Sequence, residues 1–499
     1  MTELRNYQLS TTADFHAAVE AGKRRVIIVA PTGAGKTVIA AAIIKEYVAR
    51  GKTVLVLAHR REIISQTSEK LHALGISHGI IQAGFSPRPL ERVQVASIAT
   101  LYVRAVRGDR MQLPDADLIV VDEAHHSPAR TYTKIIEAYP GAVLLGLTAT
   151  PCRGDGRGLG NLFDLIIETP QVAELIAAGH LVKTRVYAPV NPDLKGVRIQ
   201  AGDYVESQLA ARMDCPKLIG DIVAHWHKYG EGRKSVAFAV NVSHSVHLRD
   251  EFIRTGVRAE HIDGGTPKPE RDATLARLAS GEIDLVSNCM VLTEGWDMPA
   301  VGCCILARPT KKMGLFRQMI GRVLRPAVGK PDAIILDHSG AVFRHGFAED
   351  HVEWTLDPDL KAESAAHTKR CEPGASSRVL ECSQCGALRE GGKACPHCGF
   401  LPQRPPRPVP IADGDLGLVV AGKAMAAHHD LAAWHGMFTA IAAERGYKPG
   451  WVAFKFKEKF GFWPSRKAVA PITPTYECRS WVRSRMIAYA KRKQSEAVA

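Results

Sequence analysis

An apolar run, Arg-Val-Ile-Ile-Val-Ala at 25–30, leads directly into Pro-Thr-Gly-Ala-Gly-Lys-Thr at 31–37, and helical spacing begins at once from Thr37. A β-branched run that is apolar on both faces reads as a central strand of a parallel sheet. A glycine-rich loop between such a strand and a helix lets backbone N–H groups approach phosphate oxygens closely, and the helix N-terminus adds the positive end of its dipole. In that frame Thr32, Gly33, Ala34 and Gly35 form a phosphate cradle. Lys36 reaches the β and γ phosphates of a nucleoside triphosphate, and the Thr37 hydroxyl holds Mg²⁺. A chance glycine turn would not need this order of strand, loop and helix.

The strand pattern repeats. TVLVLA (53–58), VQVASI (93–98), LIVVDEA (118–124) and AVLLGLTAT (142–150) are further buried-strand runs, with helical spacing at 37–50 and 62–74. The alternation predicts a doubly wound α/β domain over about 1–185. It restarts with SVAFAV (235–240), IDLVSN (283–288), VGCCILA (301–307) and DAIILD (332–337), predicting a second α/β lobe over 186–365 and a cleft between the two. With 499 residues, and roughly 150 residues per domain, a third region is expected.

Asp122-Glu123-Ala124-His125 follows the run LIVV. Ligands of parallel sheets sit at the carboxyl ends of the strands, which is where this acidic pair falls. Asp122 suits Mg²⁺, and Glu123 suits positioning and deprotonating an attacking water. Phosphoryl transfer needs a metal, a base and a cationic clamp more than covalent chemistry.

The ordered set resembles the superfamily 2 helicases and translocases of the DEAH-box kind, over about residues 1–345. The resemblance implies two tandem RecA-like lobes, ATP hydrolysis with Mg²⁺ and a nucleic-acid track. It also gives roles to further residues. Arg5 and Gln8, in Arg5-Asn6-Tyr7-Gln8, match the adenine-reading element. Arg60 and Arg61 match motif Ia, and Ser97 and Thr100 match motif Ib, both of which contact the nucleic-acid backbone. Thr148-Ala149-Thr150-Pro151 matches motif III, which couples nucleotide state to strand grip. Thr293, Gly295 and Asp297 belong to a motif V, Thr-Glu-Gly-Trp-Asp, with Thr293 toward nucleic acid and the other two toward nucleotide. Gln318, Arg322 and Arg325 belong to motif VI. The two arginines are three apart, so on a helix they would share a face and act together as fingers on the γ phosphate. Gln318 stands where many RNA-acting members have His, which leans the reading toward DNA.

Cys382, Cys385, Cys395 and Cys398 form two CxxC pairs nine residues apart. Four thiolates suit a closed tetrahedral Zn²⁺ site without a catalytic position, so a structural zinc ribbon is expected over 376–402. The other seven of the 11 cysteines are scattered, so no disulfide framework is indicated and reduced thiols in a cytoplasmic setting are expected. LPQRPPRPVP, with five prolines, reads as a stiff linker over 403–412.

The remaining 413–499 reads as a mainly helical, basic and aromatic accessory domain. From 401 onward, 16 Lys and Arg face 7 Asp and Glu, so +9 of the net +14 lies in the last fifth of the chain. That excess favours a polyanionic partner. Lys455, Lys457 and Lys459 alternate with aromatic residues and are candidate phosphate contacts, although a small domain needs such aromatics for its own core. No apolar run approaches the ~20 residues of a membrane-spanning helix. Two lobes, a cysteine module and an accessory domain resemble the layout of RadD-like DNA-repair helicases of bacteria and prophages, and imply DNA as partner together with replication or repair proteins. Two alternatives stand beside this reading: an RNA helicase, and a zinc-ribbon nucleic-acid-binding protein with an inactive core.

Overall fold

The computed structural model describes residues 4–59, 61–108, 110–127, 129–153, 157–188, 192–359, 379–401, 428–464 and 469–496. Arg60, the proline-rich segment 403–412 and residues 413–427 lie outside the described residues. The chain divides into a unit ending at Gln403 and a second unit from Arg404.

The first sheet comprises β1 (Arg25–Val29), β2 (Val54–Ala58), β3 (Gly79–Ile81), β4 (Val93–Ser97), β5 (Leu118–Asp122), β6 (Val143–Thr148) and β7 (Leu165–Glu168). Its order is β3-β4-β2-β5-β6-β1-β7, with every pairing parallel. Every residue of β2, β4 and β6 is buried, as helices on both faces of a parallel sheet require. The order brings the chemistry together. β6 lies between β1 and β5, so the carboxyl end of β6 separates the glycine-rich loop after β1 from the acidic pair after β5 by one strand on each side.

The second sheet draws its edge strand β8 (Lys183–Tyr187) from the connection between the lobes. A short hairpin, β9 (Ile199–Gln200) and β10 (Asp203–Tyr204), follows. Then come β11 (Ser235–Phe238), β12 (Ala259–Ile262), β13 (Leu285–Asn288), β14 (Cys303–Leu306) and β15 (Asp332–Asp337). The order is β12-β13-β11-β14-β15-β8, again all parallel. The expected pair of parallel-sheet α/β lobes is therefore what forms.

β16 (Val379–Glu381) and β17 (Leu388–Glu390) make an antiparallel hairpin that carries the cysteine module. Its two halves are alike. Gly386 N–H donates to the Cys382 carbonyl and Gly399 N–H to the Cys395 carbonyl, at 2.8 and 2.9 Å. Both glycines sit at φ +75°, a conformation that disfavours a side chain. Cys382, Ala387 and Cys395 join the same apolar cluster as Tyr187, Trp226 and Ile334 of the second lobe.

The second unit has helices His428–Arg445, Pro449–Phe460 and Tyr476–Glu496. Phe438, Ile441, Val452, Phe456, Cys478 and Val482 form its core, with Trp434, Trp451 and Trp481 packed against it. Most of the tail's aromatics are thus committed to this core. Phe454, Phe462 and Trp463 stay exposed. Among the described residues no helix is long and apolar enough to cross a membrane.

Candidate active site

A cleft is lined by Thr32, Gly33, Gly35, Lys36 and Thr37 of the glycine-rich loop and by Asp122 and Glu123 at the end of β5. Its opposite wall comes from the second lobe, through Glu294, Gly295, Asp297, Arg322 and Arg325. The helix after the loop starts at Lys36, and Gly35 just before it is left-handed at φ +83°, which turns the backbone around the space a phosphate would fill. Lys36 Nζ lies 3.4 Å from the Ala30 carbonyl. Burial lowers its pKa, opposed by the charges of Glu123 and Asp122.

Glu123 adopts φ 51°, ψ 56°, an unusual backbone for a residue with a side chain. Asp122 Oδ1 accepts the Glu123 N–H at 3.0 Å. Burial, reinforced by Glu123, pushes the Asp122 carboxyl up to about 6. Burial also acts upward on Glu123, but the Lys36 ammonium and His125 outweigh it and hold Glu123 at about 2. His125 Nδ1 stands 3.4 Å from Glu123 Oε2 and 3.2 Å from the Thr148 hydroxyl at the end of β6. Thr37 and Asp122 both line the cleft, and a hydroxyl with a carboxylate is the hard-oxygen donor set that fits Mg²⁺.

Gln8 and Tyr7 both reach the loop from outside. The Tyr7 hydroxyl donates to the Ala34 carbonyl at 2.7 Å and Gln8 Nε2 to the same oxygen at 3.2 Å. Gln8 Oε1 accepts the Arg5 N–H at 3.0 Å. Here this trio braces the loop.

The two arginines of the second lobe are not on one helix. The helix Met313–Gly321 ends before Arg322. The chain leaves the helix in tighter turns, Arg322 N–H on the Met319 carbonyl and Val323 N–H on that of Ile320, and Pro326 disfavours helical backbone at Arg325. Gly321 itself abuts Thr32 so tightly that an added Cβ would lie 2.4 Å from Thr32 Cβ. Both arginines nevertheless line the cleft. Arg322 is spent on its own lobe, donating to the carbonyls of Thr293 (Nε, 3.1 Å; Nη2, 2.6 Å) and Trp296 (Nη1, 2.6 Å). Arg325 pairs with Asp297, and its stem lies on Gly33, where an added Cβ would be 3.4 Å from Arg325 Cγ. Burial lowers the pKa of both, so each is a partly desolvated cation. Gln318 is buried in the helix and is not part of the cleft wall.

Matches to known families on both lobes decide the family. The chain belongs to the superfamily 2 helicases, a family of ATP-hydrolysing enzymes. Residues 1–153 match the family described as Type III restriction enzyme, res subunit, and residues 216–327 match the Helicase conserved C-terminal domain. The chain is 33% identical over 328 residues to a 51.5 kDa protein of a Lactococcus phage, covering 66% of this chain and 68% of that protein. It is 30% identical over 360 residues to a Saccharomyces cerevisiae chain provisionally named ATP-dependent helicase IRC3, covering 68% of this chain and 52% of the relative. Identity to the DNA 3'-5' translocase XPB2 of Sulfurisphaera tokodaii is 26% over 373 residues, covering 65% and 79%. The chain thus spans between about half and four fifths of these relatives' lengths. The fold matches a fragment provisionally identified as the HsdR subunit of a type I restriction enzyme from Vibrio vulnificus YJ016, with TM-score 0.54 and 24% identity, covering 70% of this chain and 68% of that one.

Sequence reasoning missed one wall of this superfamily 2 cleft. Ile63, Gln66, Thr67 and Lys70 line it from the helix Arg61–Ala73, and Gln66 Nε2 donates across to the Gly295 carbonyl of the second lobe. Their spacing of three, one and three is a single helical stripe, and two polar residues and a lysine on it were the available signal. Glu294 and His125 were also passed over.

The residues expected at nucleic acid fare unevenly. Arg61 is exposed at its helix start, Thr100 is half-buried, and Ser97 is buried at the end of β4. Thr293 is buried and its hydroxyl donates to the Met290 carbonyl at 2.8 Å. In the second unit Lys455 pairs with Glu458 at 2.5 Å, Lys457 lies over the Trp463 ring at 4.3 Å and Lys459 over Trp434 at 4.0 Å.

The four cysteine sulfurs lie within 4.8 Å of one another. Cys382–Cys398 and Cys385–Cys395 are 3.7 and 3.6 Å apart. Thiolates about 2.3 Å from a tetrahedral zinc would be separated by about 3.8 Å, so the four fit the ion. Because the module shares the second lobe's apolar cluster, Cys395→Ser should release zinc and lower the melting temperature while basal ATP turnover stays within about threefold of wild type. Zinc content by atomic absorption, read beside turnover, checks this; complete loss of turnover would mean that the module holds the motor lobes together.

Proposed function

We propose that the chain is an ATP-dependent DNA helicase or translocase of the DEAH-box kind, in layout akin to RadD-like DNA-repair helicases, with Zn²⁺ in the cysteine module. The observation that carries the motor reading is the Arg325 stem on Gly33. A cation from one lobe against the phosphate loop of the other gives nucleotide state a handle on lobe position. Water attacks the γ phosphorus as Glu123 takes its proton, and the bond to the departing ADP oxygen breaks. Lys36 and Arg325 meet the charge that builds on the phosphoryl oxygens. Arg322 fixes the loop bearing Thr293 to Asp297. Mg²⁺ held by Thr37 and Asp122 would neutralise phosphate charge. Release of phosphate then loosens the lobes.

DNA is favoured over RNA by Gln318 in motif VI and by the relative whose name is a DNA translocase. Arg61 and Thr100 on the motor, and Lys455, Lys457 and Lys459 in the second unit, are the proposed backbone contacts, with Arg5 proposed at the adenine; Ser97, Thr293 and Gln8, buried with the Thr293 hydroxyl and the Gln8 amide already bonded, act by bracing these loops. Phosphate contacts predict sequence-independent, salt-sensitive binding. ATP turnover measured with single-stranded, duplex and forked DNA and with RNA tests the proposal. DNA should stimulate most, and stimulation should fall steeply as salt rises from 50 to about 200 mM. Stronger stimulation by RNA would favour an RNA helicase, and no hydrolysis under any condition would favour an inactive core.

A further inference from the structure

Beside the cleft, three side chains from three separate chain segments converge. His59 follows β2, His126 lies in the turn Ala124–His126 after β5, and Glu294 comes from the second lobe between β13 and β14. The nearest ligand atoms of all three lie within 4.8 Å of one another. Glu294 Oε2 is 3.4 Å from His59 Nε2, and its Oε1 is 3.5 Å from His126 Nε2. The two imidazole rings have centroids 4.4 Å apart.

We propose that His59, His126 and Glu294 form a binding site for a divalent transition-metal ion, of the zinc or cobalt class, that ties the second lobe to the first. The separations leave room for an ion beside the ion pairs. Two ligands each about 2.1 Å from a tetrahedral ion are about 3.4 Å apart, the spacing of His59 Nε2 and Glu294 Oε2, while the other carboxylate oxygen faces His126. The ring nitrogens of His59, and Nε2 of His126, are buried without a hydrogen bond. The Glu294 carboxylate is only 6% exposed. Two imidazoles and a carboxylate select borderline transition ions over Mg²⁺, and three protein ligands leave a fourth position for water.

The site differs in position and donor chemistry from the Thr37 and Asp122 oxygens and from the four thiols. It is not isolated from them. His125 sits with its ring centroid 4.1 Å from that of His126 and reaches Glu123 Oε2. An ion here would fix the turn that carries the proposed base and fasten it to the loop that lines the far wall. That consequence rests on the hydrolytic reading above, but the binding of the ion does not.

Cobalt titration of the full chain without nucleotide, its cysteine module first filled with zinc, tests the site. One further equivalent should bind, with the visible d–d bands of tetrahedral cobalt and no thiolate charge-transfer band. His59→Asn, His126→Asn and Glu294→Gln should each weaken that binding at least about tenfold, and Asp122→Asn should leave it in place. Two results would overturn the assignment: no equivalent beyond the cysteine module in the unmodified chain, or an equivalent lost in Asp122→Asn and kept in His59→Asn. The first needs no variant, so a variant that fails to fold leaves the proposal open to refutation.

Discussion

Glu123→Gln should cut ATP turnover by about 10³-fold or more while leaving nucleotide binding in place. The substitution keeps size and shape, so the buried packing at the end of β5 survives. It removes only the ability to accept a proton. The surroundings argue that this ability is what the fold protects. The backbone of Glu123 is held in the left-handed region, a strain of roughly 1–3 kcal/mol that persists only where neighbours enforce it. The Lys36 ammonium and His125 lower the pKa of the carboxyl, so it is ionised, and free to take a proton, across the neutral range. Phosphate contacts of the loop and of Lys36 do not pass through this side chain, so affinity for ATP should change by less than threefold. Single-turnover hydrolysis beside equilibrium nucleotide binding separates the two. Hydrolysis within threefold of wild type would remove Glu123 from the role of base.

How far the sequence reveals the fold depends on where each strand lies in its sheet. The central strands were legible because both of their faces are covered: β2 is buried at every position and so reads as an unbroken apolar run. The strands that escaped reading are the sheet edges. β3, β7 and β12 are short and only partly buried. β8 carries Arg185, a buried cation that Glu231 and Asp332 hold at 2.5 and 2.7 Å. Such strands lack a run because one flank faces solvent or a charged partner. The first-lobe half of the cleft was likewise legible, since loop and acidic pair each lie within a few residues of a strand end. What joins the lobes was not. Gln66 to Gly295 and Thr32 on Gly321 link segments more than 200 residues apart, and no local pattern encodes them. The one local inference about that wall, a helix carrying both arginines, overlooked Pro326.

The difference in how those arginines are held leads to the other large effect. Arg325→Ala should slow hydrolysis by about 10³-fold, the loss expected when a cation that stabilises the transferring phosphoryl group is removed. Arg322 has its donors engaged by two backbone carbonyls, so its removal should first disorder the loop from Thr293 to Asp297. Among the described residues Arg325 pairs with Asp297, whose side chain is 59% exposed and can surrender it to a phosphate. Its stem already lies on Gly33, so only the guanidinium has to move. The contrast gives a readout that mere destabilisation would not produce. Arg325→Lys retains charge but loses the planar fork, and should recover only part of the rate. Both Arg325 variants should melt close to the wild-type temperature, whereas Arg322→Ala should melt lower. Turnover of Arg325→Ala within threefold of wild type would take the arginine out of the reaction, and with it the means by which one lobe senses the nucleotide held by the other.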